Sequence, residues 1–343
     1  MSSSSKKDFV LDYRSNRIRI ARIDARHSPT KLDAVLELAN DDDAEVADSI
    51  RRFAGAKANG YLSGSCATYP EGRFFKKVKI DCPKGKEAET LIEALRTEVN
   101  VDPNIVSAAT LFADTGAEAE PSKLNKKEAI LCGAPKEQLT ALQDSLLERG
   151  IFPNSLEIGS IGIIGALKDI SGWGDSSGPI LYLEIEEDFS TLMIIGSNGV
   201  EMSRAIDSGS NEIAEAVKNE LSLKDIESAE KLLASQDFDF GPMATQILRR
   251  LLRELQSSIG FYEVQTGQSI SKILCQSGKG SAKWLLGSLS ELLNLESLSF
   301  DLDAWLTERG VELAGEEVKN TVDVSWLGLL AMAVDLNAKG SAS

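Results

Sequence analysis

Two rhythms of apolar and polar residues alternate along this chain. Phe9-Val-Leu, then Ile18 and Ile20 set between Arg17 and Arg19, carry the period of two that turns one face of a strand to a core. The spacing predicts a β-hairpin over 8–23 with its turn at 13–17. Val35-Leu-Glu-Leu predicts a third strand, and the acidic triplet at 41–43 ends it and caps a helix over 44–58, where Val46, Ile50 and Phe53 share a face. A fourth strand follows at 60–67. Residues 72–150 then read as strand 73–80, helix 87–98, strand 106–112, a polar loop at 114–127, strand 128–133 and helix 135–149. Asn154-Ser-Leu-Glu-Ile returns the chain to the part that opened it, and the glycine-interrupted 161–167 predicts a packed helix. After a Gly/Ser-rich linker at 170–178, the opening theme returns: a strand, the acidic turn Glu186-Glu187-Asp188 and a second strand. A tight Asn198-Gly199 turn leads into 200–206. Ser208-Gly-Ser-Asn-Glu opens a helix ending near Leu221. A charged helical segment follows at 223–235, then a loop at 235–241.

The strongest helical signal is the recurrence of Ile247, Leu248, Leu251, Leu252, Leu255 and Ile259, with Arg249, Arg250, Arg253 and Glu254 between them. A strand at 271–276 follows, then Ser277-Gly-Lys-Gly-Ser and a second amphipathic helix from near Ala282. Small residues between a strand and a helix let backbone approach a ligand, although many ordinary turns read the same way. The stretch 300–317 has no clear period. Trp326, Leu329, Leu330, Ala333 and Val334 share one face of a closing helix without a Lys/Arg face, which predicts core packing rather than a membrane-surface helix.

Composition narrows the function classes. The 343 residues are 42% hydrophobic and 26% charged, enough for one large or two ordinary cores. A net charge of -16 argues against nucleic acid and against direct contact with anionic lipid. No stretch reaches the ~20 apolar residues of a membrane span, and no signal peptide is expected. The four cysteines, Cys66, Cys82, Cys132 and Cys275, are widely spaced, as reduced cytosolic thiols are. A single histidine, His27, excludes His-rich metal sites.

The order of elements resembles the actin-like ATPase folds. Within them it is most similar to the PilM family of type IV pilus assembly proteins, relatives of FtsA and of the GspL cytoplasmic domain. Glu254, Leu255, Ser258 and Tyr262 match the family helix pattern Glu-Leu-x-x-Ser-x-x-x-Tyr. Ser277, Gly278, Lys279 and Gly280 stand at its Ser-Gly-Gly-Gly adenosine loop. Asp12, Tyr13, Arg14, Ser15, Asn16 and Arg17 stand at the first phosphate turn, Asp-Ile-Gly-Ser-Ser-Ser. Glu184, Glu186, Ser190 and Thr191 fall on the second, Asp-Ile-Gly-x-Ser-x-Thr, and Gly209 and Asn211 on the helix start after it. The closing helix resembles the family's Ala-Leu-Gly-Leu-Ala pattern.

The resemblance implies an α/β, actin-like (duplicated ribonuclease-H-like) two-lobed fold with an inserted FtsA-type 1C subdomain. The implied divisions are 8–71 for subdomain 1A, 72–150 for the 1C-like insertion, 151–177 for the return to 1A, 178–322 for the second lobe (2A/2B) and 323–338 for the closing helix. It further implies ATP and Mg between the lobes. Asp12 and Glu184 would lie on the metal side, and Ser15, Asn16, Arg17, Ser190 and Thr191 at the phosphates. Gly209, Asn211, Ser277, Gly278, Lys279 and Gly280 would meet the rest of the nucleotide. The implied partners are the cytoplasmic N-terminal peptide of an inner-membrane PilN-like protein, held in the 1A/1C cleft, and a pilus motor ATPase. That puts the protein in the cytoplasm, peripheral to the inner membrane through a partner.

The departures divide two functional readings. Arg14 and Glu186 replace phosphate-turn glycines, and Lys279 replaces an adenosine-loop glycine. Glu186, Glu187 and Asp188 put negative charge where a triphosphate would lie, and like charges ~4 Å apart repel by about 4 kcal/mol at a surface-like dielectric. The acidic turn itself reads as solvated, with Mg²⁺ or Ca²⁺ binding as its alternative. The first reading is a non-enzymatic scaffold of type IV pilus or type II secretion assembly with a degenerate nucleotide cleft. The second is an active Mg-ATP-binding actin-like ATPase.

Overall fold

In the computed structural model of the chain, the described residues are 8–24, 28–40, 43–55, 60–112, 118–119, 123, 127–170, 178–197, 199–235, 238–277 and 282–341. The first sheet begins as an antiparallel meander of β1 (Asp8–Arg14), β2 (Arg17–Asp24) and β3 (Thr30–Ala39). Helix α1 (Asp43–Ala54) crosses to β4 (Leu62–Thr68), which pairs parallel to β1. The hairpin turn is Ser15-Asn16, shorter than the expected 13–17. Tyr13 and Arg14 stay in β1, paired with Ile18 and Arg17, because their side chains are buried and hold the ladder to its tip.

The insertion follows as β5 (Phe74–Ile80), α2 (Glu87–Ala94), β6 (Val106–Phe112), β7 (Lys127–Pro135) and α3 (Lys136–Glu148). Its three strands form a separate antiparallel sheet in the order β5-β7-β6. β8 (Ile151–Ile158) then pairs parallel with β4, and α4 (Gly159–Ile170) is the packed helix expected at 161–167.

The second sheet repeats the first. β9 (Ile180–Ile185), β10 (Ser190–Gly196) and β11 (Gly199–Ile206) form an antiparallel meander. Four helices follow: α5 (Ser210–Glu220), α6 (Ile226–Ala234), α7 (Ala244–Ile247) and α8 (Arg249–Thr266). β12 (Lys272–Ser277) pairs parallel to β9. After α9 (Ala282–Leu293), the short β13 (Glu296–Ser297) pairs parallel to β12. The orders β3-β2-β1-β4-β8 and β11-β10-β9-β12-β13 are therefore one design used twice.

The stretch without a clear period at 300–317 folds as α10 (Leu302–Glu308), β14 (Val311–Leu313) and the start of α11 (Glu316–Thr321). β14 pairs with β3, so the chain re-enters the first sheet before the expected division at 322. The stretch hides its strand because that strand is three residues long, too short to show a period. The chain closes with α12 (Leu327–Ser341), whose Leu327, Leu329 and Leu330 are fully buried.

Among the described residues three large apolar cores result, beside smaller ones, the chief of which lies inside the insertion around Val78, Ile80, Leu95, Val106 and Leu131. One lies under β1, β2 and α1; one surrounds β9, β10, α5 and α8; the third, around α4 and α12, joins the two sheets. Strands β9 and β10 are buried on both faces, which is why their sequences run apolar almost without alternation. The insertion contributes Phe75 and Cys132 to the joining core.

Tyr69 marks the tightest point of the join. Its ring fills the space left by two glycines, Gly159 opening α4 and Gly328 in the first turn of α12. A Cβ at Gly328 would overlap the Tyr69 hydroxyl and crowd the Asp12 carboxylate. Gly328→Ala, a favourable change in an open helix, is therefore expected to lower stability by about 1–3 kcal/mol in urea unfolding; an unchanged or higher midpoint would refute this account of the join.

Candidate functional site

The turns of the two meanders face each other across the gap between the lobes, and side chains from three parts of the chain fill it. Successive residues of a strand point to opposite faces, so Asp12 and Arg14 of β1 share one face, and Arg17 and Arg19 of β2 lie beside them. From the second lobe come Glu184 of β9 and Glu186 just beyond it. From the junction between β4 and the insertion come Tyr69 and Arg73.

These groups form one buried cluster. Arg14 donates to Glu186 Oε1 at 2.8 Å and lies 3.3 Å from Asp12 Oδ1. Its guanidinium is 3.4 Å from the centroid of the Tyr69 ring, and Tyr69 donates its hydroxyl to Asp12 Oδ2 at 2.8 Å. Arg73 donates to Glu184 Oε2 at 2.7 Å and to Glu186 Oε1 at 3.2 Å. It also donates to Ser160 Oγ and to the carbonyls of Tyr69 and Pro70. Glu184 accepts further bonds from Ser160 at 2.6 Å and Tyr182 at 2.7 Å. Arg14 and Glu186 are 2% and 7% exposed, and Glu184 not at all.

Electrostatics follow from this packing. Burial alone would push the Glu184 carboxyl up, but the charges of Arg73 and Arg14 and the bonds from Ser160 and Arg73 hold it below the ordinary carboxylate range. Burial works against the charge on Arg73 too, and Glu184 and Glu186 outweigh it. Tyr69 and Tyr182 are driven up, first by burial, so both remain neutral donors.

The structure thus corrects the expectation of a solvated acidic turn. Asp188 is exposed and Glu187 partly so, whereas Glu186 is turned inward by Arg14 and Arg73. Of the two carboxylates expected beside a metal, Glu184 takes its hydrogen bonds from protein donors, while Asp12 accepts from Tyr69 on Oδ2 and its Oδ1 is buried 3.3 Å from Arg14 Nε without a hydrogen bond. The described residues contain no group of three His, Cys, Asp or Glu that could hold an ion. Arg73, Tyr69 and Ser160 were missed in the sequence; the only available signal was an arginine set just before an apolar strand.

Several of the remaining expected contacts also have protein partners, whereas Asn16 Oδ1, Arg17 Nε and Ser277 Oγ are buried without one. Gly209 has no space for a Cβ because the backbone of Glu187 and Asp188 lies against it. The amides of Ser210 and Asn211, which open α5, donate to the carbonyls of Glu186 and Glu187 at 2.8 and 2.9 Å. A helix start that would attract an anion is thereby capped by the chain's own turn. Ser190 donates to Ser208 O, Asn211 bonds Asp188, and Thr191 is buried opposite Glu184. Glu254 and Ser258 bond Arg204 of β11, and Tyr262 bonds Glu201, so these helix-pattern residues fix α8 to β11. Ser15 is exposed at the turn, Asn16 is half-buried, and Ser277 is buried at the end of β12. Gly278, Lys279 and Gly280 lie outside the described residues, as do Asn198, His27 and most of the expected linker.

Comparison with solved structures shows the fold. The chain is similar to PilM in a PilM–PilN type IV pilus biogenesis complex, with 16% identity, 96% of this chain and 99% of that chain covered, and a TM-score of 0.70. The ethanolamine utilization protein EutJ of Carboxydothermus hydrogenoformans matches at 9% identity over 97% of this chain and 90% of its own, with a TM-score of 0.47. The cytoplasmic domain of EpsL, an inner membrane component of the type II secretion system of Vibrio cholerae, matches at 12% identity over 96% and 95%, with a TM-score of 0.42. No protein-family model and no curated protein sequence matches. The fold is the actin-like ATPase fold in its PilM form.

Two outcomes follow from the cluster. Arg73→Met leaves Glu184 buried without its main counter-charge and is expected to cost about 3–5 kcal/mol in chemical unfolding; a loss below about 1 kcal/mol would show that the pair is not sealed from water. Because the Glu184 pKa lies below its unfolded value, its stabilising contribution is present above the ordinary carboxylate range and is lost as pH falls through the folded value. The stability gap between wild type and Glu184→Gln should therefore hold from neutral down to the ordinary carboxylate range and narrow as pH falls below it towards the folded value, and a gap that stays constant there would overturn the assignment.

Proposed function

We propose that the chain is a PilM-like assembly scaffold, not a working ATPase. It would bind the cytoplasmic N-terminal peptide of an inner-membrane PilN-like protein in the cleft between subdomain 1A and the insertion, and dock that complex to a motor ATPase. Its place is then the cytoplasmic face of the inner membrane, reached through the partner. No helix among the described residues is long and apolar enough to cross a membrane.

One observation carries the reading. The inter-lobe gap, where an actin-like ATPase would need room for phosphates and Mg²⁺, is filled by the Arg14, Glu186, Arg73 and Glu184 ion pairs. Seating a triphosphate there would require pulling apart charges already desolvated and paired, and would leave carboxylates facing phosphate. The likeness of fold to PilM supports a pilus or secretion setting, and the insertion supports a second surface on which a peptide can lie.

Millimolar Mg-ATP is expected to leave the melting temperature unchanged. A ligand at a hundred times its dissociation constant would add about 2.7 kcal/mol, so a clear rise that Asp12→Ala or Glu184→Ala abolishes would sink the scaffold reading. In the same preparation, an N-terminal peptide from the inner-membrane protein encoded beside this one should bind with one-to-one stoichiometry in calorimetry, and silence from every such peptide would remove the partner.

A further inference from the structure

The sheet of the insertion has an open edge. β5 is its outer strand: β7 pairs with it on one side, and nothing among the described residues bonds to its backbone on the other. An unpaired edge presents alternate N–H and C=O groups, on which another chain can add a strand. Val78 and Ile80 turn their side chains into the insertion's own core, against which Leu91 and Ala94 of α2 pack. Lys79, between them, is exposed.

A groove of about 370 Å³ lies between residues 78–81 of this strand and the face of α2 that carries Glu89, Thr90 and Glu93. All of its lining belongs to the insertion, so it is separate from the cleft between the insertion and subdomain 1A. Lys79 and Lys86 line it against four carboxylates, those of Asp81, Glu89, Glu93 and Glu98. Glu89 and Glu93 are exposed, and no ion pair reaches either of them, or Lys79, among the described residues. Like charges four residues apart weaken a helix, so this pair works against α2 rather than for it. A second copy of β5 paired here would bring the lysines at 76, 77 and 79 of both copies together, which disfavours self-association at this edge. Side chains of an added strand would alternate between two environments: on one side Glu89 and Glu93, on the other Lys79.

We propose that the groove between β5 and α2 takes an extended segment of a partner protein as a fourth strand, with Lys or Arg at alternate positions facing α2 and an acidic residue between them beside Lys79. Backbone bonds to the edge supply affinity, and the charge alternation supplies selectivity. The site is independent of the scaffold reading, since a scaffold and an ATPase could carry it equally.

The probe is an end-blocked, fluorophore-labelled peptide, Thr-Lys-Glu-Lys-Glu-Lys-Thr, titrated with the full chain at about 0.15 M salt, where long-range attraction to an acidic protein is screened. Fluorescence anisotropy is expected to show one saturable site with a dissociation constant below about 1 mM. A peptide of the same composition in the order Lys-Lys-Lys-Thr-Thr-Glu-Glu is expected to bind at least about tenfold more weakly. The same loss is expected for one of the two alternately N-methylated forms of the probe, because only one set of amides faces β5. It is expected again for the probe on Glu89→Lys/Glu93→Lys, a change at two exposed positions, and the charge-exchanged peptide Thr-Glu-Lys-Glu-Lys-Glu-Thr should recover binding to that variant. No saturation with wild type, equal binding of the reordered peptide or of both methylated forms, or an unchanged constant for the variant overturns the site. So does displacement of the probe by the inner-membrane peptide, which would put it in the cleft beside subdomain 1A, and so does self-association of the chain that Glu89→Lys/Glu93→Lys removes. Failure of the inner-membrane peptide to bind bears on the scaffold reading alone.

Discussion

The contact on which the rest of the structure depends is the Arg14–Glu186 pair, made between side chains 172 residues apart in sequence. Each partner stands at the turn of one meander, so the pair fixes how the two sheets face each other. Charges this deeply buried are costly unless paired and hydrogen-bonded. The neighbouring groups supply that satisfaction: Arg73 bridges Glu186 to Glu184, Tyr69 covers the Arg14 guanidinium and bonds Asp12, and Ser160 and Tyr182 complete Glu184. The cluster draws on the first lobe, the start of the insertion and the second lobe together. It cannot relax in one of them without exposing a charge in another.

Apolar packing alone would not give this specificity. The joining core around α4 and α12 is rich in Leu, Ile and Ala, whose burial is non-directional. Directional bonds at one end, and the Tyr69 ring nested against Gly159 and Gly328, remove that freedom. The insertion adds a third constraint by placing Phe75 and Cys132 in the same core. A body held at three points behaves as a rigid frame, which would suit the proposed scaffold.

How much of this was legible in the sequence depends on the distance over which each feature acts. The two meanders, their repetition, the long amphipathic α8 and the buried α12 are written in local periods, and they appear where the periods put them. The departure of Arg14 and Glu186 from the glycines that the resemblance expects was equally visible. Its meaning was not, because each residue was read beside its sequence neighbours. An acidic turn is solvated unless something distant turns a carboxylate inward, and nothing near Glu186 reveals Arg14 or Arg73. Arg73 had a second disguise: it precedes the apolar strand β5 and reads as an ordinary flanking charge. β14 escaped for a different reason, since three residues carry no period and its partner β3 lies far away in sequence.

Against the glycines that the resemblance expects at the two turns, Arg14 and Glu186 make one change rather than two. Arg14 alone would bury an unmatched cation at the first turn, and Glu186 alone an unmatched anion at the second; either is strongly destabilising, whereas both together form a pair. A nucleotide between two lobes acts as a removable brace, and its arrival and departure can drive opening and closing because it binds one state better than the other. An internal pair has no such dependence: it is present at every nucleotide concentration, and opening must separate charges with no ligand to replace them. Even a preference of about 5.5 kcal/mol for the closed form leaves the open one near one per cent where the two would otherwise lie 99:1 the other way. Fixing the brace covalently to the chain therefore exchanges a switch for a permanent geometry, which is what the proposed scaffold would require.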